Sequence, residues 1–144
     1  MKTIINAPIV LAKTETSPYP CPNPPYNPRT NKNPNYLPWH GHITALTVAP
    51  KYRRLGHATR LTEALEQVCD AQDAWFVDLF VRIDNVKAIG MYRKMGYSVW
   101  RRVVAYYNDG TDAFDMRKPC SRDKERKTVR ENGENCRVQP EDVW

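Results

Sequence analysis

A short basic loop that contains a glycine has the residue types needed to bind a pyrophosphate. Its sequence is Arg53-Arg54-Leu55-Gly56-His57-Ala58, and it joins a strand-like segment at 42–48 to a segment with apolar residues at helical spacing. The first turn of a helix presents backbone N–H groups without intrahelical partners, and the helix dipole favours negative charge there. Gly56 lets the backbone approach a ligand closely, and the arginines supply positive charge. The alternative is an ordinary strand–helix turn in which the glycine serves only packing.

A second loop at a matching position supports the ligand-binding interpretation. Asn85 follows an apolar segment at 75–82, and Tyr92 lies two turns into the helix-like segment after it. Two consecutive strand–loop–helix units place both loops at the same edge of a parallel sheet, where open α/β sheets bind ligands. A tyrosine hydroxyl at that edge can donate to an atom on which negative charge develops. The alternative for Tyr92 is a plain core tyrosine.

Periodicity and turn residues predict the elements that must position these loops. Gly96 lies where a helix end favours left-handed backbone, and Asn108-Asp109-Gly110 predicts the turn of a hairpin. Arg101 and Arg102 are expected on an exposed strand face. The fold class is therefore α/β (α+β), a mixed sheet with two strand–loop–helix units and a C-terminal β-hairpin. The predicted elements are strands at 42–48, 75–82, 97–107 and 111–117 and helices at 56–72 and 85–95.

The flanks of this unit differ from it in composition. Nine of the twelve prolines lie between positions 8 and 38, which predicts that residues 1–38 are an extended or disordered leader with one short strand at 4–11 at most. A proline-motif ligand is the alternative for the leader. Residues 39–118 are the predicted folded core, and residues 119–144 a charged, solvated tail. The strand at 42–48 is then expected to have an exposed edge.

Length, charge and cysteine usage limit the functional classes. The chain has 144 residues and a net charge of +6, which fits one domain with an acidic partner such as a cofactor phosphate, an acidic peptide or RNA. No apolar run approaches the roughly 18 residues of a membrane span, and no secretory signal is evident, so a cytoplasmic location is expected. The four cysteines are scattered without a C-x-x-C pair, which favours free thiols over disulfides or a zinc site, and no metal is expected.

The two loops resemble the R/Q-x-x-G-x-G/A and N-x-x-A-x-x-x-Y segments of the GNAT acetyltransferases. Within that family the chain is similar to the N-terminal acetyltransferases of the NatB type, over about 39–128, through the segments 39–46, 76–82, 91–92, 96–99, 106–107 and 115–118. The resemblance implies acetyl-CoA as co-substrate and direct transfer to the α-amine of nascent chains beginning Met-Asp, Met-Glu, Met-Asn or Met-Gln. It also implies a helical auxiliary subunit as partner, and an association with the ribosome.

The resemblance assigns roles position by position. Tyr92 is expected to direct its hydroxyl at the thioester sulfur, and His42 to assist the deprotonation of the amine. His42 and Thr44 are expected to recognise the polar second residue of the substrate, while Tyr106 and Tyr107 cover its backbone. Core packing is the alternative for His42, and ordinary strand aromatics for the two tyrosines. Contacts to the cofactor are implied for Leu46, Val48, Arg53, Arg54, Leu55, Gly56, His57, Ala58 and Asn85.

The region before residue 39 departs from the family pattern. Family members begin with a strand, two helices and a further strand pair, and we expect these elements to be missing here, because residues 1–38 lack the apolar periodicity to replace them. Three alternatives to an active enzyme of this type stay open. They are a non-catalytic subunit that binds the auxiliary subunit or acetyl-CoA without turnover, an RNA or ribosome contact through the basic tail, and a small-amine acetyltransferase.

Overall fold

A computed structural model describes residues 9–31, 33, 35–47 and 56–143 of the chain. Two helices and six strands follow one another in these ranges. In chain order they are β1 (Ile9–Glu15), β2 (His40–Thr47), α1 (His57–Ala71), β3 (Phe76–Arg82), α2 (Val86–Lys94), β4 (Ser98–Val103), β5 (Ala113–Pro119) and β6 (Arg137–Val138).

The six strands form one mixed sheet in the order β1-β2-β3-β5-β4-β6. Strands β2 and β3 are parallel and are joined through α1, while β4 and β5 are antiparallel neighbours. The second unit, β3-α2-β4, crosses over β5 to reach its place in the sheet. The predicted fold class, with two strand–loop–helix units and a C-terminal hairpin, is therefore confirmed.

The hairpin strand β4 is shorter than predicted. It ends at Val103 instead of residue 107, because Ala105 has a left-handed backbone (φ 50°) that cannot continue a ladder, and its N–H donates to the Asp112 carboxylate at 2.8 Å. Tyr106 and Tyr107 therefore lie in the loop between β4 and β5. Gly96 has φ +98° directly after α2, as the sequence predicted.

Both helices pack on one face of the sheet. Alternate residues of each strand point to that face, so the core takes Ile43 from β2, Leu79 from β3 and Met116 from β5. Cys69 of α1 and Ile89 of α2 complete it from the helix side. The strand β3 is buried on both faces over most of its length, as expected for a central strand.

The opposite face of the sheet buries charged groups. Arg101 is 2% exposed, and its Nε donates to the Asp115 carboxylate at 2.9 Å, so the predicted exposure of Arg101 is wrong. Arg117 lies between the rings of Phe76 and Trp100, at 4.0 and 4.1 Å from their centroids. Charges are buried only where partners offset their desolvation, and such pairings depend on strand register, which local sequence does not reveal.

The segment before residue 39 contributes a strand and buried side chains to the fold. Strand β1 pairs antiparallel with the whole of β2, so the predicted exposed edge of β2 is wrong. The strand expected at 4–11 runs instead over Ile9–Glu15, and residues 1–8 lie outside the described residues. Ser17 donates its N–H to Leu37 O at 2.9 Å, and Tyr26 packs edge to face on Trp75 at 5.2 Å. Tyrosines between the prolines thus bury area that periodicity alone did not predict.

The charged segment after β5 also packs on the sheet instead of forming a solvated tail. Asp123 is buried and accepts hydrogen bonds from the N–H and hydroxyl of Thr128, at 2.8 and 2.6 Å. Thr128 O in turn accepts from Arg117 at 3.1 Å. Strand β6 extends the sheet by pairing with β4, and Arg102 donates its N–H to Cys136 O at 2.8 Å.

Candidate active site

A fork between the two parallel strands lies at the centre of the candidate site. Strand β2 is paired with β1 up to Thr47, and β3 with β5 up to Arg82, so each strand is held on its outer side. The ladder between β2 and β3 ends at Ile43 and Leu79, so among the described residues the main chain of residues 44–47 has no strand partner on the β3 side. The pairs that join β2 to β3 are Gly41 with Val77, His42 with Asp78 and Ile43 with Leu79.

The N-terminus of α1 follows β2 and lies at the open end of the fork. Gly56 has φ +76°, a left-handed conformation that favours glycine, and precedes the first helical residue, His57. The first turn has no acidic residue, and Arg60 lies with its Nε 3.4 Å from Gly56 O. The helix dipole is therefore not offset by a carboxylate, which favours an anionic ligand. The predicted contacts Val48, Arg53, Arg54 and Leu55 lie outside the described residues.

The N-terminus of α2 follows β3 at the same edge of the sheet, because β2 and β3 are parallel. Asn85 is the N-cap, and its Oδ1 accepts from Ala88 N–H at 3.2 Å. The cap uses the side-chain oxygen of Asn85, so its amide nitrogen is the group that can donate to a ligand. The two predicted strand–helix loops therefore lie at the same edge of the sheet.

A buried histidine–carboxylate pair lies at the base of the fork. His42 Nδ1 is 2.7 Å from Asp78 Oδ1, and Asp78 is 1% exposed. Burial lowers the pKa of His42, but the hydrogen bond and the charge of Asp78 outweigh burial and raise this pKa above its usual value. Burial raises the pKa of Asp78, and His42, His40 and Arg117 outweigh that effect and lower it. Asp78 is therefore an ionised acceptor, and Thr44 lies exposed two residues beyond His42.

An aromatic row connects His42 with the β4–β5 loop. The His42 ring lies 5.6 Å from Phe80, and Phe80 stacks on Tyr106 at 4.9 Å with an interplanar angle of 20°. Tyr107 packs perpendicular to Tyr106 at 5.1 Å. Burial raises the pKa of both tyrosines, so their hydroxyls stay neutral near pH 7. The structure thus brings His42 and Tyr106 to one side of the fork.

Arg82, at the end of β3, fixes the loop that carries the two tyrosines. Its Nη2 donates to the Asp109 carboxylate at 2.6 Å and to the Thr111 hydroxyl at 2.9 Å. The guanidinium also lies 4.8 Å from the centroid of the Tyr107 ring. The loop is therefore tied to the strand that carries Asp78.

Tyr92 lies in the apolar core between the helices and the sheet. Tyr92 is 9% exposed, and its ring packs edge to face on Tyr97 with a centroid distance of 5.8 Å. Burial raises the pKa of Tyr92, which keeps the hydroxyl protonated and able to donate. Its predicted direction toward a thioester sulfur stays a prediction.

Comparison with known proteins agrees with this arrangement. Residues 26–97, half of the chain, match the profile described as Acetyltransferase (GNAT) family. The chain belongs to the GNAT acetyltransferase family.

The relatives of this GNAT chain include N-terminal acetyltransferases. It is 53% identical over 109 residues to "N-terminal acetyltransferase B complex catalytic subunit naa20" of Schizosaccharomyces pombe, which covers 73% of this chain and 61% of that protein. It is 54% identical over 92 residues to the corresponding subunit of Arabidopsis thaliana, covering 63% of this chain and 53% of that protein. The chain thus spans less than two thirds of the length of either curated relative.

Among solved structures, the fold is similar to that of Chaetomium thermophilum Naa20 in complex with a bisubstrate analogue. The TM-score is 0.85 with 49% sequence identity, and the match covers 96% of this chain and 72% of the other.

Three residues of this GNAT site were not predicted from the sequence: Asp78, Phe80 and Arg82. A single acidic residue within the apolar strand at 75–82 is the one signal that could have identified Asp78. Phe80 and Arg82 carry no such signal, since aromatic and basic residues are ordinary at strand positions and strand ends. The contact of each with the loop depends on tertiary structure.

The described part of the chain carries no sign of a metal site or a membrane span, and a cavity in it lies apart from the predicted site. No group of three or more histidine, cysteine or acidic side chains there is arranged to hold a metal ion. Neither of the two described helices has the length and hydropathy that a membrane span requires. A cavity of about 310 Å³ between α1 and the end of β5 is lined by none of the predicted site residues.

Proposed function

We propose that this chain is the catalytic subunit of a protein N-terminal acetyltransferase of the NatB type. It transfers acetyl from acetyl-CoA to the α-amine of nascent chains that begin Met-Asp, Met-Glu, Met-Asn or Met-Gln. The observation that carries the proposal is the fork between β2 and β3, with the His42–Asp78 pair at its base and two helix N-termini at its open end. Similarity to subunits named as N-terminal acetyltransferases supports it.

The fork fits the two chemical parts of acetyl-CoA. The amide groups of the pantetheine arm find main-chain partners along residues 44–47 of β2, Leu46 among them, and a donor in Asn85. The pyrophosphate binds the first-turn N–H groups at Gly56, His57 and Ala58, in a turn that has no acidic residue of its own. Contacts from Val48, Arg53, Arg54 and Leu55 are proposed on the family resemblance.

The transfer needs one proton removed and one supplied. The amine nitrogen bonds to the acetyl carbon while the carbon–sulfur bond breaks; the nitrogen loses a proton and the sulfur gains one. His42 accepts the proton at Nε2, either directly or through one water, and Tyr92 donates from its hydroxyl. An α-amine has a pKa of about 8, so a histidine with a raised pKa is a well-matched acceptor.

The rim of the fork suits a peptide with a polar second residue. Tyr106 and Tyr107 offer aromatic area to the peptide backbone, and Arg82 holds their loop in place. Thr44 lies two residues beyond His42, where the register of β2 against β1 shifts, and the two side chains supply hydrogen-bond partners for a carboxylate or amide side chain. A polar group that loses water needs such a partner. An apolar second residue would leave His42 and Thr44 without one, so apolar second residues are disfavoured.

We further infer the partners and the location of this subunit. Its relatives are named as subunits of a complex, which supports a helical auxiliary subunit as partner and nascent N-termini as substrates. Ribosome association and a cytoplasmic location follow from the same proposed function, since nascent chains are made there.

One experiment tests the proposal. The chain is co-expressed with a NatB auxiliary subunit, acetyl-CoA binding is measured by calorimetry, and acetyl transfer is measured on peptides that differ only at position two. We expect transfer to Met-Asp to exceed transfer to Met-Leu by at least about tenfold, and His42→Asn to lower it by about 10²-fold. Tyr19→Phe, at an exposed tyrosine remote from the fork, is the control. A folded sample without affinity for acetyl-CoA would overturn the proposal.

A second outcome of this experiment is favoured by one observation. Tyr92 is almost fully buried among apolar side chains, which suits a structural tyrosine as well as a proton donor. Binding of acetyl-CoA without transfer to any peptide would therefore support a non-catalytic subunit that binds the auxiliary subunit.

A further inference from the structure

Asp78 is an acidic side chain buried in the central strand, where desolvation of an ionised group costs free energy. It lies in the middle of β3, is 1% exposed, and its neighbours along the strand are apolar. A buried carboxylate must be offset by partners, or its desolvation destabilises the fold. The partners here are specific, because the parallel register places His42 of β2 directly beside Asp78.

The contact fixes which nitrogen of His42 carries hydrogen. A neutral imidazole has one N–H donor and one lone-pair acceptor. Since the Asp78 carboxylate accepts from Nδ1 at 2.7 Å, the hydrogen of neutral His42 resides on Nδ1 and the lone pair on Nε2. Only Nε2 is then able to take a proton from a substrate amine.

Every element around the pair contributes charge to it. From β1, Glu15 raises and Lys13 lowers the pKa of His42. These two residues form a salt bridge, with 2.7 Å between Lys13 Nζ and Glu15 Oε2. From β2, His40 Nε2 lies 3.9 Å from Asp78 Oδ1 and 3.5 Å from Glu15 Oε1. Lys13 and Glu15 therefore act in opposite directions on His42, while Asp78 is the charge in direct contact with it.

The remaining charges come from β5 and from the β4–β5 loop. Arg117 lies opposite Asp78 in the register of β3 with β5, and its charge adds to the larger effects of His42 and His40 that lower the pKa of Asp78. Burial and the charge of Asp78 raise the pKa of buried Asp115. The neutral Tyr106 hydroxyl lies within the field of Asp78. Loss of the Asp78 charge would remove the hydrogen bond and the negative charge that raise the pKa of His42, and burial would then lower its proton affinity.

We propose that Asp78 is the positioning residue of the acetyl transfer: it orients the His42 ring and holds the tautomer whose Nε2 faces the substrate amine. Asp78 itself lies behind His42 and touches no substrate. This inference rests on the proposed function for its kinetic consequence, whereas the tautomer of His42 is a property of the folded chain alone.

The first test measures the histidine rings directly in the full chain. With ¹⁵N-labelled histidine, long-range ¹H–¹⁵N spectra report the tautomer and titration of His40, His42 and His57, assigned by single His→Gln variants. We expect His42 of the unmodified chain to carry hydrogen on Nδ1. In Asp78→Asn its titration midpoint should fall by about one pH unit or more. Hydrogen on Nε2 in the unmodified chain, or an unmoved midpoint in the variant, would overturn the proposal.

The second test is kinetic and uses the complex with the auxiliary subunit. Asp78→Asn should lower kcat by about 10²-fold at unchanged KM for acetyl-CoA, and move the acid limb of kcat/KM to lower pH. The exposed Asp73→Asn is the matched control and should leave both unchanged. A merely structural role would lower the amount of folded enzyme without moving the acid limb.

The two tests separate failure of this inference from failure of the proposed function. If the unmodified complex transfers no acetyl group, the proposed function fails, and the ring spectra still decide the role of Asp78. If transfer proceeds and Asp78→Asn alters neither spectra nor kinetics, the inference fails and the function stands. If Asp78→Asn does not fold, the tautomer in the unmodified chain decides.

Discussion

Replacing Gly41 by alanine should destabilise the chain through one identifiable contact. Gly41 is buried in β2 next to His42, and a Cβ added there would lie 2.3 Å from Sγ of Cys69 on α1. Optimal carbon contacts are about 3.5–4.0 Å, so the helix or the cysteine must move by more than about 1 Å. Overpacking of this kind costs about 1–3 kcal/mol. We therefore expect Gly41→Ala to lower Tm by roughly 4–8 °C for a cost of about 2 kcal/mol.

A double-mutant cycle isolates the contact. Cys69→Ala removes the sulfur, after which the nearest atom to the new Cβ is Cβ of residue 69 at 3.4 Å. Cys69→Ala by itself leaves a small cavity and should cost about 1 kcal/mol. In the double variant the added methyl group of Gly41→Ala partly fills that cavity, so the double variant should be more stable than Gly41→Ala alone. Thermal and urea unfolding of the four proteins give the coupling free energy.

The same substitution elsewhere in the chain provides the control. Gly90 lies within α2, and an added Cβ there meets no atom within 4 Å. Gly90→Ala should therefore stabilise the chain by about 0.5–1 kcal/mol, because alanine loses less backbone entropy in a helix. Additive effects of Gly41→Ala and Cys69→Ala would refute the assigned contact, since the stability loss would then have another source.

Three further predictions follow from buried groups. Tyr92→Phe should lower kcat for peptide acetylation by about 10²-fold at unchanged acetyl-CoA affinity, and an unchanged kcat would exclude Tyr92 as proton donor. Arg101→Met leaves the buried Asp115 carboxylate without its partner at 2.9 Å and should cost about 3–5 kcal/mol in urea unfolding. A loss below about 1 kcal/mol would show that the pair is not desolvated. Burial raises the pKa of Cys120 to about 12, so its alkylation at pH 8, followed by mass spectrometry, should be on the order of 10³-fold slower than in the urea-unfolded chain. Equal rates would contradict that burial.

The order and type of the central elements could be predicted from the sequence. Helices at 56–72 and 85–95 are observed at His57–Ala71 and Val86–Lys94, because apolar spacing and the turn residues around each helix are local signals. The strand at 75–82 is observed at Phe76–Arg82 for the same reason. The order strand–helix–strand predicts that the two strand–helix loops lie at the same edge of the sheet, so this half of the site could be predicted from the sequence.

The two flanks show where such prediction fails. Residues 1–38 and 119–144 are predicted to be a leader and a tail, because proline and mixed charge carry no periodicity of strand or helix. In the structure β1 pairs with β2 and β6 with β4, and Arg29 of the first flank pairs with Glu125 of the second. These contacts join residues far apart in the chain, and their stabilisation exists only once the sheet has formed.

The residues at the ends of the two parallel strands could be predicted from local sequence, because the spacing of apolar residues and glycines acts within a few positions. The contact of His42 with Asp78, 36 residues further along, and the stacking of Phe80 on Tyr106 beside the same fork are visible only in the folded chain. Strand register sets both contacts, and a shift by one residue would turn each side chain to the other face. Register depends on the packing of the whole sheet, so no local pattern contains it.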